Sequence, residues 1–181
     1  YASMAHDFML TSGHVLFPVM PLTTSVERAM RGLPLLAWDG DKRTHVGVMR
    51  RGAVVDTLRW FETEACHMFH VMNAWDEGDT VVALVMQSDT APGLPDAQGR
   101  PGDPHAMAAR LCRWTFDLAG SGNGFQREYL DDLVGEFPRI DERFAGSRTR
   151  YGFYACHATA RARGDAESVV FDSLARFDLE T

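Results

Sequence analysis

Apolar and polar positions alternate along much of the chain. The runs "HVLFPVMPL", "THVGVMRR", "CHMFHVMNAW", "TVVALVMQ", "LCRWTFDLAG", "RYGFYACHATA" and "SVVFDSLARFDL" are short and rich in β-branched and aromatic residues. Such runs predict strands, in which successive side chains face opposite sides. Turn chemistry separates them, with Gly, Asp and Asn clustered in "WDGDKR", "WDEGDT", "GSGNGF" and "ARGDAES". Only "TTSVERAMRG" and "DPHAMAARL" predict helix, a turn or two each. The pattern is that of an antiparallel all-β chain, which fits a sandwich, a barrel or a propeller. From Ser88 to Pro104 the stretch "SDTAPGLPDAQGRPGDP" predicts a long surface loop, not a linker, because strand patterning resumes directly after it. A loop of that length in a compact β domain is commonly functional.

Composition narrows the class. The 181 residues suffice for one core of ordinary size, and 45% apolar with 24% charged residues is the balance of a soluble globular protein. The net charge of −7, without any basic block, speaks against nucleic-acid binding through phosphates and supplies no polybasic patch for a membrane. No run of about 18 apolar residues predicts a membrane-spanning helix, and the first residues lack a signal-peptide pattern. Cys66, Cys112 and Cys156 are widely spaced and odd in number, so they read as reduced thiols of a cytoplasmic protein. The start lacks a Met and the end, "SLARFDLET", stops within a strand pattern, so both ends read as cut.

Candidate chemistry centres on histidine. His6 opens "HDF", and His70 lies among apolar residues in "MFHVMNA". Strand alternation puts Met68 and His70 on one face and His67 on the other. A neutral imidazole suits iron, copper or zinc, yet there is no HExxH and no paired CxxC, and the spacing of His6 from His70 says nothing by itself. "GSGNG" lacks the Lys-Ser/Thr of a phosphate loop and reads as a hairpin turn; no Ser sits in a G-x-S-x-G elbow. "WDEGD" lacks calcium-loop spacing and reads as solvated turn residues, and "RTRYGFY" reads as a half-exposed strand.

Three segments, in this order, change the picture. "MAHDFMLTSGHVLFPVMPL", "FHVMNAWDEGDTVV" and "GEFPRIDERFAGSRTRYGFYA" resemble the carotenoid cleavage oxygenase (retinal pigment epithelial membrane protein) family, most of all its bacterial lignostilbene dioxygenase-like branch. The resemblance spans essentially the whole chain. It implies a seven-bladed β-propeller carrying a mononuclear non-haem iron, Fe(2+), held by four histidines from different blades, three of them steered by glutamates. His6 and His70 match two of the ligands. Glu136, ahead of "FPRI", matches the carboxylate that receives the other ring N–H of His70, fixing its tautomer. Asp7 is expected to point away from the face of His6 as a structural residue, Asn73 to hold the turn of "NAWDEGD", and His67 to pack. His14, His45, His105 and His157 match no ligand motif.

At about 40–50 residues per blade, residues 1–181 amount to roughly four blades, one partial propeller domain truncated at both ends and carrying two of four ligands. The implied activity is Fe(II)-dependent dioxygenation of a conjugated C=C bond, in a stilbene, phenylpropanoid or apocarotenoid, to two carbonyl products. The partners would be that apolar alkene and O2, with membrane contact of the intact enzyme left open and the chain alone inactive. A second reading is a non-catalytic β-propeller module that binds a partner on its loops, with Ser88–Pro104 as the surface. Geometry separates the two: an iron site requires His6 and His70 to converge, with Glu136 behind one ring.

Overall fold

A computed structural model describes residues 1–157 and 171–180. Among these residues, strands β1 (Met9–Leu10), β2 (His14–Val19), β3 (Leu22–Thr24), β4 (Leu36–Trp38), β5 (Thr44–Arg50) and β6 (Arg59–Thr63) form the first half. Strands β7 (His67–Glu77), β8 (Thr80–Ser88), β9 (Arg110–Asp117), β10 (Gln126–Arg139), β11 (Tyr151–Cys156) and β12 (Ser173–Asp178) form the second. The turn expected from "ARGDAES", and the start of the last strand pattern, lie outside the described residues. Among the described residues helix is confined to α1 (Val26–Met30), where the Ser25 hydroxyl accepts from the Arg28 N–H at 3.1 Å, and to two 3-10 turns. "DPHAMAARL" forms only a turn, because strand β9 begins at Arg110 and claims its end.

The strands assemble as β1-β2-β5-β6, as the pair β3-β4, and as β12-β11-β10-β9-β8-β7. All neighbours run antiparallel. Strand β10 serves two groups: Gln126–Tyr129 pairs with β9, while Gly135, Glu136 and Arg139 pair with β11. The pairings therefore fall into four antiparallel groups, the blades of a partial propeller.

Burial follows the pattern. Leu16, Val46 and Phe61 of the first sheet pack on Val81, Val85, Trp114 and Phe116 of the second. The opposite face of the second sheet buries Leu84, Met86, Leu111 and Tyr154. Strand β8 is thus covered on both sides, which is why its sequence is a continuous apolar run. Its one internal amide, Gln87, is satisfied by the Trp114 indole N–H and the Tyr129 hydroxyl, both at 2.7 Å. The loop after β8 is anchored. Ala91 is buried with Leu22 and Trp38, and the Trp38 N–H donates to the Pro95 carbonyl at 2.9 Å. Cys66, Cys112 and Cys156 are buried.

One expectation fails at β7. The strand continues through Asn73 and Asp76 to Glu77, and the turn comes only at Gly78, whose φ is 64°. Asn73 therefore cannot hold that turn. It holds a different one: its Nδ2 donates to the Ser147 carbonyl at 2.7 Å and its Oδ1 accepts from the Gly146 N–H at 3.1 Å. Strand extension carried Asn73 away from the hairpin and against the 144–147 turn.

Candidate metal centre

His70 lies on β7 and His6 on the segment before β1. Their rings are 5.0 Å apart and nearly perpendicular, at 88°. Each ring is fixed through Nδ1. That of His6 donates to the Phe69 carbonyl at 2.9 Å, and that of His70 donates to Glu136 Oε2 at 2.7 Å. With Nδ1 engaged in both rings, Nε2 is the ring nitrogen left for a further partner. Neither Nε2 has a hydrogen-bond partner among the described residues.

A backbone irregularity places Glu136. The β10–β11 register shifts between Glu136 and Arg139, and Phe137 there adopts a φ of 57°. Left-handed backbone is rare for a bulky residue and marks a constrained position. It turns the Phe137 N–H onto Glu136 Oε2 at 2.7 Å and sets the Phe137 ring 5.2 Å from that of His70. Oε2 thus accepts two hydrogen bonds, while Oε1 is buried without a partner. Burial pushes the Glu136 carboxyl above its ordinary range, against the pull of the Phe137 N–H and the His70 ring.

A largely apolar surface borders His6. A cleft of about 230 Å³ is lined by Ala5, His6, Asp7, Phe8, Phe17, Pro18 and Val19, with the rings of Phe8 and Phe17 stacked 6.3 Å apart. A larger concavity, about 420 Å³, lies by Trp75, Glu77, Arg113, Glu128 and Arg148, at the other end of β7. Its charges satisfy each other, Arg113 with Glu128 at 3.3 Å and Arg148 with Glu77 at 3.6 Å.

The sequence therefore anticipated three residues that the fold brings together: His6, His70 and Glu136. Contrary to the expectation from the sequence, Asp7 does not point away but sits beside His70, accepting from the Val71 N–H at 3.0 Å. His67 packs, edge-on to Phe69 at 4.4 Å and Trp38 at 6.1 Å. His45 stands near Glu62 at 3.9 Å, His105 is exposed, and His157 lies 4.5 Å from Phe171. His14 and Asp76 correct the reading. Asp76 is a strand residue, not a solvated turn residue, and its carboxylate takes His14 Nδ1 at 2.6 Å and Ser12 Oγ and Gly13 N at 2.8 Å each. No local motif announces that contact, because its partners are 62 to 64 residues apart.

The donor chemistry fits iron in part. Two imidazoles with Nε2 atoms unengaged among the described residues, and a carboxylate behind one of them, suit a borderline divalent ion. Among the described residues no group of three or more His, Cys, Asp or Glu could hold a metal.

The antiparallel sheets bring two imidazoles together at the edge strand β7. The family described as retinal pigment epithelial membrane protein matches residues 1–181, and the chain belongs to it. Isoeugenol monooxygenase of Pseudomonas putida is 34% identical over 182 residues, covering 98% of this chain and 38% of its own length. Lignostilbene-alpha,beta-dioxygenase isozyme III of Sphingomonas paucimobilis is 34% identical over 159 residues, 84% of this chain and 32% of its own. The crystal structure of Pseudomonas brassicacearum lignostilbene dioxygenase superposes with a TM-score of 0.89 at 33% identity, over 99% of this chain and 39% of that one. Synechocystis apocarotenoid oxygenase shares the fold, with a TM-score of 0.79 at 18% identity. The chain thus spans less than half the length of these relatives.

Proposed function

We propose that this chain is the partial propeller of a longer non-haem Fe(II) oxygenase that cleaves the conjugated C=C bond of an aryl-alkene with O2. The observation that carries the reading is the perpendicular His6–His70 pair, with both Nε2 atoms unengaged and Glu136 behind His70. His6 and His70 would hold the ion, with the remaining ligands elsewhere in the intact protein. Iron, when bound, would supply the place where O2 is activated beside the alkene.

The chain's own residues orient and exclude. Glu136 keeps the His70 proton on Nδ1, so Nε2 stays a donor. Phe8, Phe17 and Phe137 present apolar surface beside the pair and suit an aromatic, uncharged substrate. The names of the relatives, isoeugenol and lignostilbene oxygenases, support the aryl-alkene class. No acid–base pair is needed in this part of the chain. Convergence of the imidazoles favours this reading over a binding module, for which the two rings would have no reason to meet.

The test is iron content of the intact protein. His70→Ala should lose the metal, while His45→Ala and His157→Ala keep it. Full iron occupancy in His70→Ala would overturn the assignment.

A further inference from the structure

We propose that Asp7 is a positioning residue of the metal centre, holding the β7 backbone on which His70 is mounted. The inference rests on the reading of His6 and His70 as ligands.

Strand β7 is the edge of its sheet, and no strand pairs with its outer side among the described residues. On its inner side the pairing with β8 is irregular where it matters. Register shifts occur between Met68 and Val71 and again between Val71 and Asn73, so Phe69 and His70 have no rung in the ladder. The segment that carries the imidazole is therefore held weakly by its own sheet. It is held instead by side chains. The His6 ring donates to the Phe69 carbonyl at 2.9 Å, and Asp7 Oδ2 accepts from the Val71 N–H at 3.0 Å. These are the two backbone groups on either side of His70. One residue of a parallel strand lying opposite His70 would make the same two bonds. The side chains of a single dipeptide thus stand in for a missing strand.

The Asp7 carboxylate is itself fixed, because Oδ1 accepts from the Phe8 N–H at 2.8 Å. Since His6 and Asp7 are adjacent in sequence, the bond from Asp7 ties the backbone of one imidazole to the backbone of the other. It sets the separation of the two rings, which a shared ion requires to be constant. A carboxylate suits the task because a charged acceptor makes the stronger bond to an amide.

The test uses the full-length protein, prepared metal-free and titrated with Fe(II) and with Co(II) as a spectroscopic probe. Asp7→Ala removes the acceptor and should weaken metal binding roughly 10–100-fold, the range for groups that orient ligands, and should change the Co(II) d–d spectrum. Asp7→Asn keeps one acceptor oxygen for the Val71 N–H but loses the bond from the Phe8 N–H, so it should recover part of both. Asp76→Ala removes three bonds at the far part of β7, against two for Asp7→Ala, so it should lower thermal stability while leaving metal affinity and spectrum unchanged. Wild-type affinity and spectrum in Asp7→Ala would overturn the proposal, as would an Asp76→Ala variant that weakens the metal equally. If Asp7→Ala does not fold, Asp7→Ser, whose hydroxyl is too short to reach Val71, takes its place with the same outcomes. Retention of metal by His70→Ala would instead defeat the ligand reading itself, so the two failures are distinct.

Discussion

Glu136 and His70 are 66 residues apart in the chain and 2.7 Å apart in space. The bond joins two different strands, β7 at the sheet edge and β10 across the sheet, through a carboxylate with its second oxygen buried and unpaired. A buried acceptor without a partner costs stability; Oε1 carries that cost, while Oε2 accepts from His70 Nδ1.

Glu136→Gln therefore tests orientation apart from packing. The amide is isosteric, but it is a weaker acceptor and carries no charge. Metal affinity of the intact protein should fall roughly 10–100-fold, as for other groups behind a ligand, with thermal stability little changed. An unaltered dissociation constant for Fe(II), measured by competition with a chelator, would remove Glu136 from the centre.

Gly135 is the backbone condition for that carboxylate. A Cβ there would meet the Ala155 carbonyl oxygen, and would come within 2.6 Å of a Tyr154 ring carbon. The contact is with backbone, so β10 and β11 would have to separate. Gly135→Ala should cost roughly 1–3 kcal/mol, as overpacking does, and should weaken metal binding by displacing Glu136. Gly122→Ala, with nothing within 4 Å of its Cβ, is the control. Calorimetry and metal titration of the two variants give the comparison, and equal melting temperatures would refute the clash.

How much of this was legible in the sequence depends on the strand. Strand β8 is buried on both faces and reads as "VVALVM", and β11 alternates buried and half-exposed positions through "YGFYAC". Both are visible in one line of sequence. Strand β10 is not. It carries Asp131, Asp132, Gly135 and Pro138 within 14 residues, all strand-averse, because it shifts register twice and passes from one partner to another. The short strands β1, β3, β4 and β6 hold two to five residues each, too few for a period to show. The centre was legible only through motif resemblance at His6, His70 and Glu136. The roles of Asp7, Asn73 and Asp76 depend on contacts between distant segments, which no local pattern encodes.

Asp76 makes a clear case of such a contact. It pins the 11–14 turn to β7 through His14, Ser12 and Gly13. Its partial burial pushes the carboxyl up, but the bonds from His14, Thr11, Ser12 and Gly13 outweigh this and hold it below 3.8. The folded value is thus the depressed one. The stabilisation is present above about pH 4 and is lost as pH falls through the folded value. Asp76→Ala should cost about 1–3 kcal/mol at neutral pH, the penalty of unpairing several donors. Urea unfolding at pH 7 decides it; a loss under about 0.3 kcal/mol would mean the turn is held by other contacts.

His67 makes the fold sensitive to acid. Burial, with His6 nearby, lowers its pKa from 6.5 to about 4, and its Nδ1 is buried without a partner. The folded chain keeps this ring neutral down to about pH 4, whereas the unfolded chain protonates it near 6.5. Between those values the unfolded state binds more protons, so stability falls as pH drops from 6.5 towards 4 and is level again below. The loss at pH 5 should be about 2 kcal/mol relative to pH 7. His67→Leu removes the titrating group and keeps an apolar side chain against Trp38 and Phe69. Urea unfolding of both proteins at pH 7 and pH 5 should show a smaller pH difference for His67→Leu by that amount. An equal difference in the two would mean that the acid sensitivity belongs to other groups, and that His67 is not carried neutral into the core.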